Sequence, residues 1–323
     1  MSKKGSPSLM QMLELYLKGM CMGAADVIPG VSGGTVAFIT GIYDELLLAI
    51  KSFTPLALWK VFRQPLRTTL AVHHVFFLLP LGAGVASSIL LLAGLMNYLL
   101  GAYPEMVWSF FFGLIAASGL LLNYENGRIT FDDFICILVG AAAAVWLAKL
   151  VPAQLASTPW TTFMAGFISI IAMILPGISG AFILVLMGMY SSIILALKSF
   201  DLHTIFLFGT GAALGLSLFS RVLSWLLDRY AKVTVSTLIG FMYGSLYKVW
   251  PWKVTEAYIL DHHEKVIPTV QKNVTPWNYF AMTGQEPFLL PSVMLMVAAV
   301  VVVAGIHLWG KRARLHQASA EHV

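Results

Sequence analysis

Charge is scarce in this chain. Of 323 residues, 11% are Asp, Glu, Lys or Arg and 59% are hydrophobic, against about 25% and about 45–50% in a soluble domain. That balance excludes an ordinary soluble globule and describes a polytopic membrane protein. Cysteine is nearly missing. Cys21 and Cys136 both fall in apolar helical stretches, which argues against a disulfide framework or a thiolate metal site and for two small core residues. Metal-ligand spacings are also lacking. His73-His74 and His262-His263 have no suitable partners, so we expect no metal, no cofactor and no catalytic constellation. The net charge of +5 is no nucleic-acid signal, because the basic residues gather at the ends of apolar segments. No cleavable signal is expected either. Glu14 and Lys18 interrupt the first apolar stretch, and no small-residue cleavage pattern follows it.

What the chain does have is a five-residue unit that occurs twice: Pro29-Gly30-Val31-Ser32-Gly33 and Pro176-Gly177-Ile178-Ser179-Gly180. Each copy interrupts a long apolar segment, where Pro, Gly and Ser break a helix. In lipid the freed backbone groups are tolerated only where the break is buried in protein or lines a wet cavity. The likeness continues. At a shift of 147, residues 29–53 match 176–200 at 11 of 25 positions without a gap. At a shift of 127 it resumes through Gly82/Gly209, Gly84/Gly211, Tyr103/Tyr230, Ser109/Ser236 and Gly113/Gly240. This is an internal duplication, too long in period for a solenoid.

Taken in order, residues 9–27 form the first arm of a hairpin and 35–52 its second. A basic stretch, 54–74, reads as an interfacial loop or short surface helix. Spans follow at 75–98 and 105–122, completing a first repeat over 1–130. The second repeat, 131–250, holds a span at 134–151, hairpin arms at 160–175 and 181–198, and spans at 204–227 and 233–250. Residues 251–323 supply a polar, Trp-bearing loop, a last span at 288–309 and a basic tail.

Each arm is about 24–27 Å of helix, so two arms are too long for one straight crossing of about 30 Å. Each Pro-Gly unit is therefore expected to make a re-entrant hairpin. Three spans separate the hairpins, and three is odd, so the second hairpin enters from the opposite side. The expected fold is an all-α polytopic membrane protein with about six transmembrane helices and two re-entrant hairpins in an inverted repeat. By this count thirteen of the 20 Lys and Arg residues fall on one side. Six fall on the other (Lys149, Lys198, Lys248, Lys253, Lys265 and Lys272), and Arg221 stays within a span. The asymmetry places both termini in the cytoplasm.

The chemistry on offer is anion binding. In each hairpin the second arm begins at Ser-Gly, with free N–H groups and the positive end of the helix dipole aimed into the membrane. Gly33, Gly34 and Gly180 let a ligand approach the backbone. Ser32, Thr35 and Ser179 either cap their helices or donate to a phosphate oxygen. Two such N-termini from opposite faces form the anion site of many inverted-repeat transporters. Arg221 snorkels to the interface or meets the anion. Asp26, whose repeat mate is Met173, is a carrier of a coupling proton or sodium ion, or a polar lining residue. Glu45 has Ser192 as its mate, so any role is one-sided. Lys51 and Lys198 are interfacial anchors at the arm ends, able to attract an anionic headgroup.

The stretch Gly19–Phe53, with Gly-Ala-Ala-Asp-Val-Ile-Pro-Gly-Val-Ser-Gly-Gly-Thr, and its partner Leu175-Pro-Gly-Ile-Ser-Gly-Ala resemble the bacterial polyprenyl-phosphate transporter family, along nearly the whole chain. The resemblance implies a translocase that returns undecaprenyl phosphate from the outer to the cytoplasmic leaflet of the bacterial inner membrane, for reuse as a lipid carrier in envelope synthesis. Its phosphate would sit at the two broken-helix N-termini. A secondary transporter for a small soluble anion needs the same site without a lateral opening, and is the alternative. A lipid phosphatase lacks a catalytic constellation, so a non-enzyme is expected. The coupling ion and a homodimer stay open.

Overall fold

The computed structural model describes residues 9–26, 32–52, 74–150, 155–260 and 266–320. Pro29, Gly30, the basic stretch up to His73 and the pair His262-His263 lie outside the described residues.

Helices dominate the described chain. In order they are α1 (Leu9–Asp26), α2 (Gly33–Ile39), α3 (Tyr43–Ser52), α4 (Val75–Ala102), α5 (Pro104–Glu125), α6 (Phe131–Lys149), α7 (Pro159–Ile174), α8 (Gly180–Leu186), α9 (Tyr190–Ser199) and α10 (Leu202–Ser245). A hairpin of β1 (Lys253–Leu260) and β2 (Val266–Asn273), then α11 (Pro276–Thr283) and α12 (Leu289–Ala320), complete the chain. Among the described residues, five helices are long and apolar enough to cross a membrane, or seven spans if each bent helix pair counts as one. Each of the six spans expected from sequence falls on one of these helices. α10 has 44 residues, about 66 Å of helix, and a non-helical residue inside it, Tyr230, divides it between the two spans expected there. Bulky apolar side chains point outward along these helices, with Leu90 at 82% and Val301 at 64% exposure. This is a multi-pass membrane protein whose hydrophobic surface faces lipid.

Three details differ from the sequence reading. The second arm of each hairpin is not one helix. It bends by 119° between α2 and α3 and by 109° between α8 and α9. The bends sit at Gly41 (φ +70°) and Gly188 (φ +68°), left-handed conformations that glycine adopts without a steric cost. The loop 251–287 holds regular structure: β1 and β2 pair antiparallel, Lys253 opposite Asn273 and Val254 opposite Lys272. Their β-branched residues favour strands. Cys21 is exposed and Cys136 half-buried, both free thiols. Neither is a core residue, because facing lipid costs a small apolar side chain nothing.

The chain divides into two compact units. One comprises residues 1–97 and 152–234, the other 98–151 and 235–323. Each draws on both repeats. In the first unit, α1 packs on α4 and α7 on α10 through glycine, and the contacts are equivalent. A Cβ at Gly84 would lie 2.1 Å from the Tyr16 carbonyl oxygen, and one at Gly211 would lie 2.1 Å from that of Phe163. Gly19 meets the Leu81 carbonyl, and Gly166 that of Phe208, at the same 2.1 Å. Every partner in one pair is the repeat mate of its counterpart. Small residues let helix backbones approach where lipid offers no hydrophobic drive.

In the second unit, Gly113 of α5 fits against Met296 of α12 and Gly240 of α10 against Ile137 of α6. The β-hairpin and α11 cap one end. There the Trp250 indole donates to the Val274 carbonyl (2.8 Å) and the Trp252 indole to the Pro287 carbonyl (2.8 Å). The Tyr279 hydroxyl bonds the buried Glu105 carboxylate. At the other end, the Asp133 carboxylate closes a capping box with Thr130 and accepts from Ser236.

Candidate functional site

Both helix breaks lie in the first unit, and they are joined. α1 ends at Asp26, whose carboxylate accepts the N–H of Gly33 (2.7 Å) at the start of α2. Ser32 is the N-cap of α2, in extended conformation, and its hydroxyl accepts the N–H of Gly34 (3.1 Å). The same hydroxyl donates to the Met173 carbonyl (2.9 Å), near the end of α7. One residue on, the Tyr43 hydroxyl donates to the Ile174 carbonyl (3.0 Å). The N–H of Gly177, in the second break, donates to the Thr35 hydroxyl (2.9 Å).

These bonds answer the problem posed by a break in lipid. The end of α7 and the turn after it leave carbonyl and amide groups without helical partners. Three side chains of the first repeat take them up. Phe182 stands where Thr35 stands in the first repeat. Ser179, at the N-cap of α8, makes no side-chain capping bond, although it too is buried.

The sequence-derived residues fall into two groups. Asp26, Ser32, Gly33, Gly34, Thr35, Pro176 and Gly177 come together, with Ser179 and Gly180 at the next helix start. Space beside the glycines is taken by the chain itself. A Cβ on Gly33 would lie 2.5 Å from the Asp26 carboxylate, one on Gly34 2.7 Å from the Ile174 carbonyl, and one on Gly180 2.6 Å from the Ser169 carbonyl. Electrostatically, Asp26 puts a negative charge at the positive end of α2.

Glu45 and Arg221 stand apart from this cluster. Glu45 is exposed on the first turn of α3, where its charge suits that helix's N-terminus. Arg221 donates to the Ser217 carbonyl (3.2 Å), one turn back on α10. It makes no hydrogen bond to either break among the described residues. Lys51, at the end of α3, donates to Ser224 (3.1 Å), a buried hydroxyl one turn beyond Arg221. Lys51 is thus tied to the polar face of α10 rather than standing as a surface anchor.

Sequence reasoning missed Tyr43 as part of the junction. The signal was present: Tyr43 and Tyr190 are identical mates, and a polar ring next to a glycine bend, deep in an apolar arm, needs a partner for its hydroxyl. No group of three His, Cys, Asp or Glu residues suited to a metal ion occurs among the described residues.

Comparison with known proteins bears on this geometry. A family described as undecaprenyl phosphate translocase-like matches residues 22–267. A protein of Vibrio cholerae named polyprenyl-phosphate transporter is 42% identical over 307 residues, covering 94% of this chain and 98% of that one. A second protein of that name, from Staphylococcus aureus, is 29% identical over 253 residues, covering 73% and 85%. No solved structure matches.

Proposed function

The chain belongs to the undecaprenyl phosphate translocase-like family, and from that premise we propose that it transports polyprenyl phosphate, returning it from the outer to the cytoplasmic leaflet of the bacterial inner membrane. Relatives named as transporters support a carrier rather than an enzyme. The charge asymmetry of the loops supports cytoplasmic termini.

The observation that carries the site assignment is the bonding of the two breaks through Ser32–Met173 and Thr35–Gly177. A junction of unwound backbone in a membrane protein is where an anion exchanges water for fixed N–H groups. Asp26 on Gly33 is the built-in anion of this junction. The substrate's phosphate takes its place there, with Ser179 and the start of α8 on the other side. Protonation or a bound cation would release Asp26, which gives coupling a physical handle. Arg221, with Lys51 and Ser224 beside it, lies on the headgroup's route. The polyprenyl tail stays in lipid, and the two repeats move against each other to expose the site in turn.

The test is headgroup transfer in proteoliposomes. Labelled undecaprenyl phosphate is loaded in both leaflets, and an impermeant phosphate-directed reagent is added outside. Accessible lipid should rise from about half to nearly all with the protein, and stay near half with Ser32→Ala/Ser179→Ala or Arg221→Ala. A rise unaltered by these substitutions refutes the site. No rise with folded protein, together with uptake of a soluble phosphate compound, makes the chain a soluble-anion carrier.

A further inference from the structure

Two helix contacts in the second unit are copies of one another, and they differ at one residue. An added Cβ on Gly240 of α10 would strike the Ile137 carbonyl of α6, and one on its repeat mate, Gly113 of α5, would strike the Met296 carbonyl of α12. So α12 stands to α5 as α6 stands to α10. Burial along the two helices agrees. Asp133, Gly140 and Ala144 are the buried residues of α6. Ser292, Ala299 and Val303, each 159 positions later, are the buried residues of α12 among those described. The first repeat's counterpart of α6 is thus supplied from the end of the chain, beyond the family-matched stretch 22–267.

One turn before the Gly240 contact, a hydrogen bond joins the two helices: the Ser236 hydroxyl donates to the Asp133 carboxylate (3.3 Å). The same step back from the Gly113 contact arrives at Ser109 and Ser292. Ser109 is the mate of Ser236, and Ser292 stands in the place of Asp133. α5 and α12 run parallel, because further along both of them Glu125 meets His307 (3.3 Å). The two serines are therefore level. Both are 0% exposed, and neither hydroxyl has a hydrogen-bond partner among the described residues. Ser118, by contrast, donates to the Leu114 carbonyl of its own helix. A serine oxygen sits one bond nearer its backbone than a carboxylate oxygen, so Ser292 stops short of Ser109 where Asp133 reaches Ser236. An unbonded buried hydroxyl is costly, and water is what meets buried polar groups that the chain leaves unpaired.

We propose that Ser109 and Ser292 hold a single buried water, which stands where the carboxylate stands in the other copy and bridges α5 to α12. Hydrogen bonds of about 2.8 Å on either side span the shortfall, and two polar partners suffice to fix a buried water. The ligand is water and not a larger anion, because both serines are closed to solvent. The bridge adds a polar tie to the glycine contact one turn away.

The test uses the full chain in nanodiscs, irradiated briefly with X-rays in oxygen-18 water. A bound water then yields a hydroxyl radical that marks adjacent side chains, and peptide mass spectrometry reads the label. Oxygen-18 is expected on residues 108–113 and 292–296, at least fivefold above its level in Ser109→Ala/Ser292→Ala. Stability supplies a second reading. Ser109→Ala and Ser292→Ala should each shift the unfolding constant about fivefold toward the unfolded state, the worth of one hydrogen bond. The double variant should shift it no further, since either substitution removes the bridge. Ser292→Asn, long enough to reach Ser109 itself, should keep wild-type stability and lose the label. Equal labelling in the double variant overturns the proposal. So do single variants as stable as wild type or more so, the result for hydroxyls that bond their own helix or nothing.

Discussion

Tyr103 and Tyr230 stand 127 positions apart in the sequence and hold nearly the same non-helical backbone: φ −141°, ψ 53° at the first, φ −133°, ψ 45° at the second. Each divides one apolar span from the next. In the first repeat Pro104 follows and opens a new helix, as proline at the first helical position does. In the second, Ala231 follows, and the chain runs on as one bent helix. The duplication has kept the turn and changed the residue that marks it.

The glycine contacts carry the packing of the first unit. Gly211→Leu drives a side chain into the Phe163 backbone, and Gly84→Leu into that of Tyr16. Overpacking of this kind costs about 1–3 kcal/mol. Both variants should melt below the wild type in detergent. Gly82→Ala and Gly209→Ala, with nothing within 4 Å of the added Cβ, should melt within about 0.5 kcal/mol of it or slightly above.

The bonds across the breaks should prove unequal. Thr35→Val strands the Gly177 N–H, and an orphaned buried donor costs about 1–3 kcal/mol. Tyr43→Phe strands the Ile174 carbonyl at similar cost. Ser179→Ala removes no capping bond and should be nearly neutral in stability. A denaturation series on these three variants checks the order.

Arg221→Ala should separate folding from transport. Among the described residues Arg221 bonds its own helix, so its loss should leave the melting midpoint within about 0.5 kcal/mol of wild type. Headgroup transfer should fall at least tenfold if the guanidinium meets the phosphate, as an initial-rate measurement would register.

Stability should depend on pH through Lys253. Its folded pKa is depressed by burial and by Lys248, so between that value and about 10.4 the unfolded chain binds the extra proton. Stability then rises with pH through this window, by at most about 1.4 kcal/mol per unit, and falls as pH drops through it. Lys253→Met should flatten that part of the profile. Melting curves of both proteins across pH 7–10.5 give the comparison.

Much of this fold is legible in the sequence, for physical reasons. Lipid demands long apolar helices, and six such stretches are plain in the composition. The breaks announce themselves through Pro, Gly and Ser in otherwise apolar runs. The bends at Gly41 and Gly188 escaped the sequence reading: glycine recurs there in both repeats, but a single glycine in an apolar run is also an ordinary packing device. The β-hairpin was hidden because its residues are short, mixed and flanked by tryptophan. Residue types at the junction were readable, yet their roles were not. A buried serine or threonine bonds whatever backbone faces it, and only the fold brings Met173 to Ser32 and Gly177 to Thr35. Lys51 reads as an anchor until Ser224 is seen beside it.

The three bonds from first-repeat side chains to the second repeat also set an order of events during synthesis. Ser32, Tyr43 and Thr35 leave the ribosome 131 to 142 residues before the groups they will bond. At about 5–20 residues per second this is a delay of roughly 7 to 28 s. For that interval the first hairpin waits in the bilayer with its hydroxyls uncommitted, while the second, once inserted, finds its partners already there. A chain started at the second repeat has no such partners, so the two halves made in reverse order, or the second half made alone, would leave the Met173 and Ile174 carbonyls and the Gly177 amide bare in lipid.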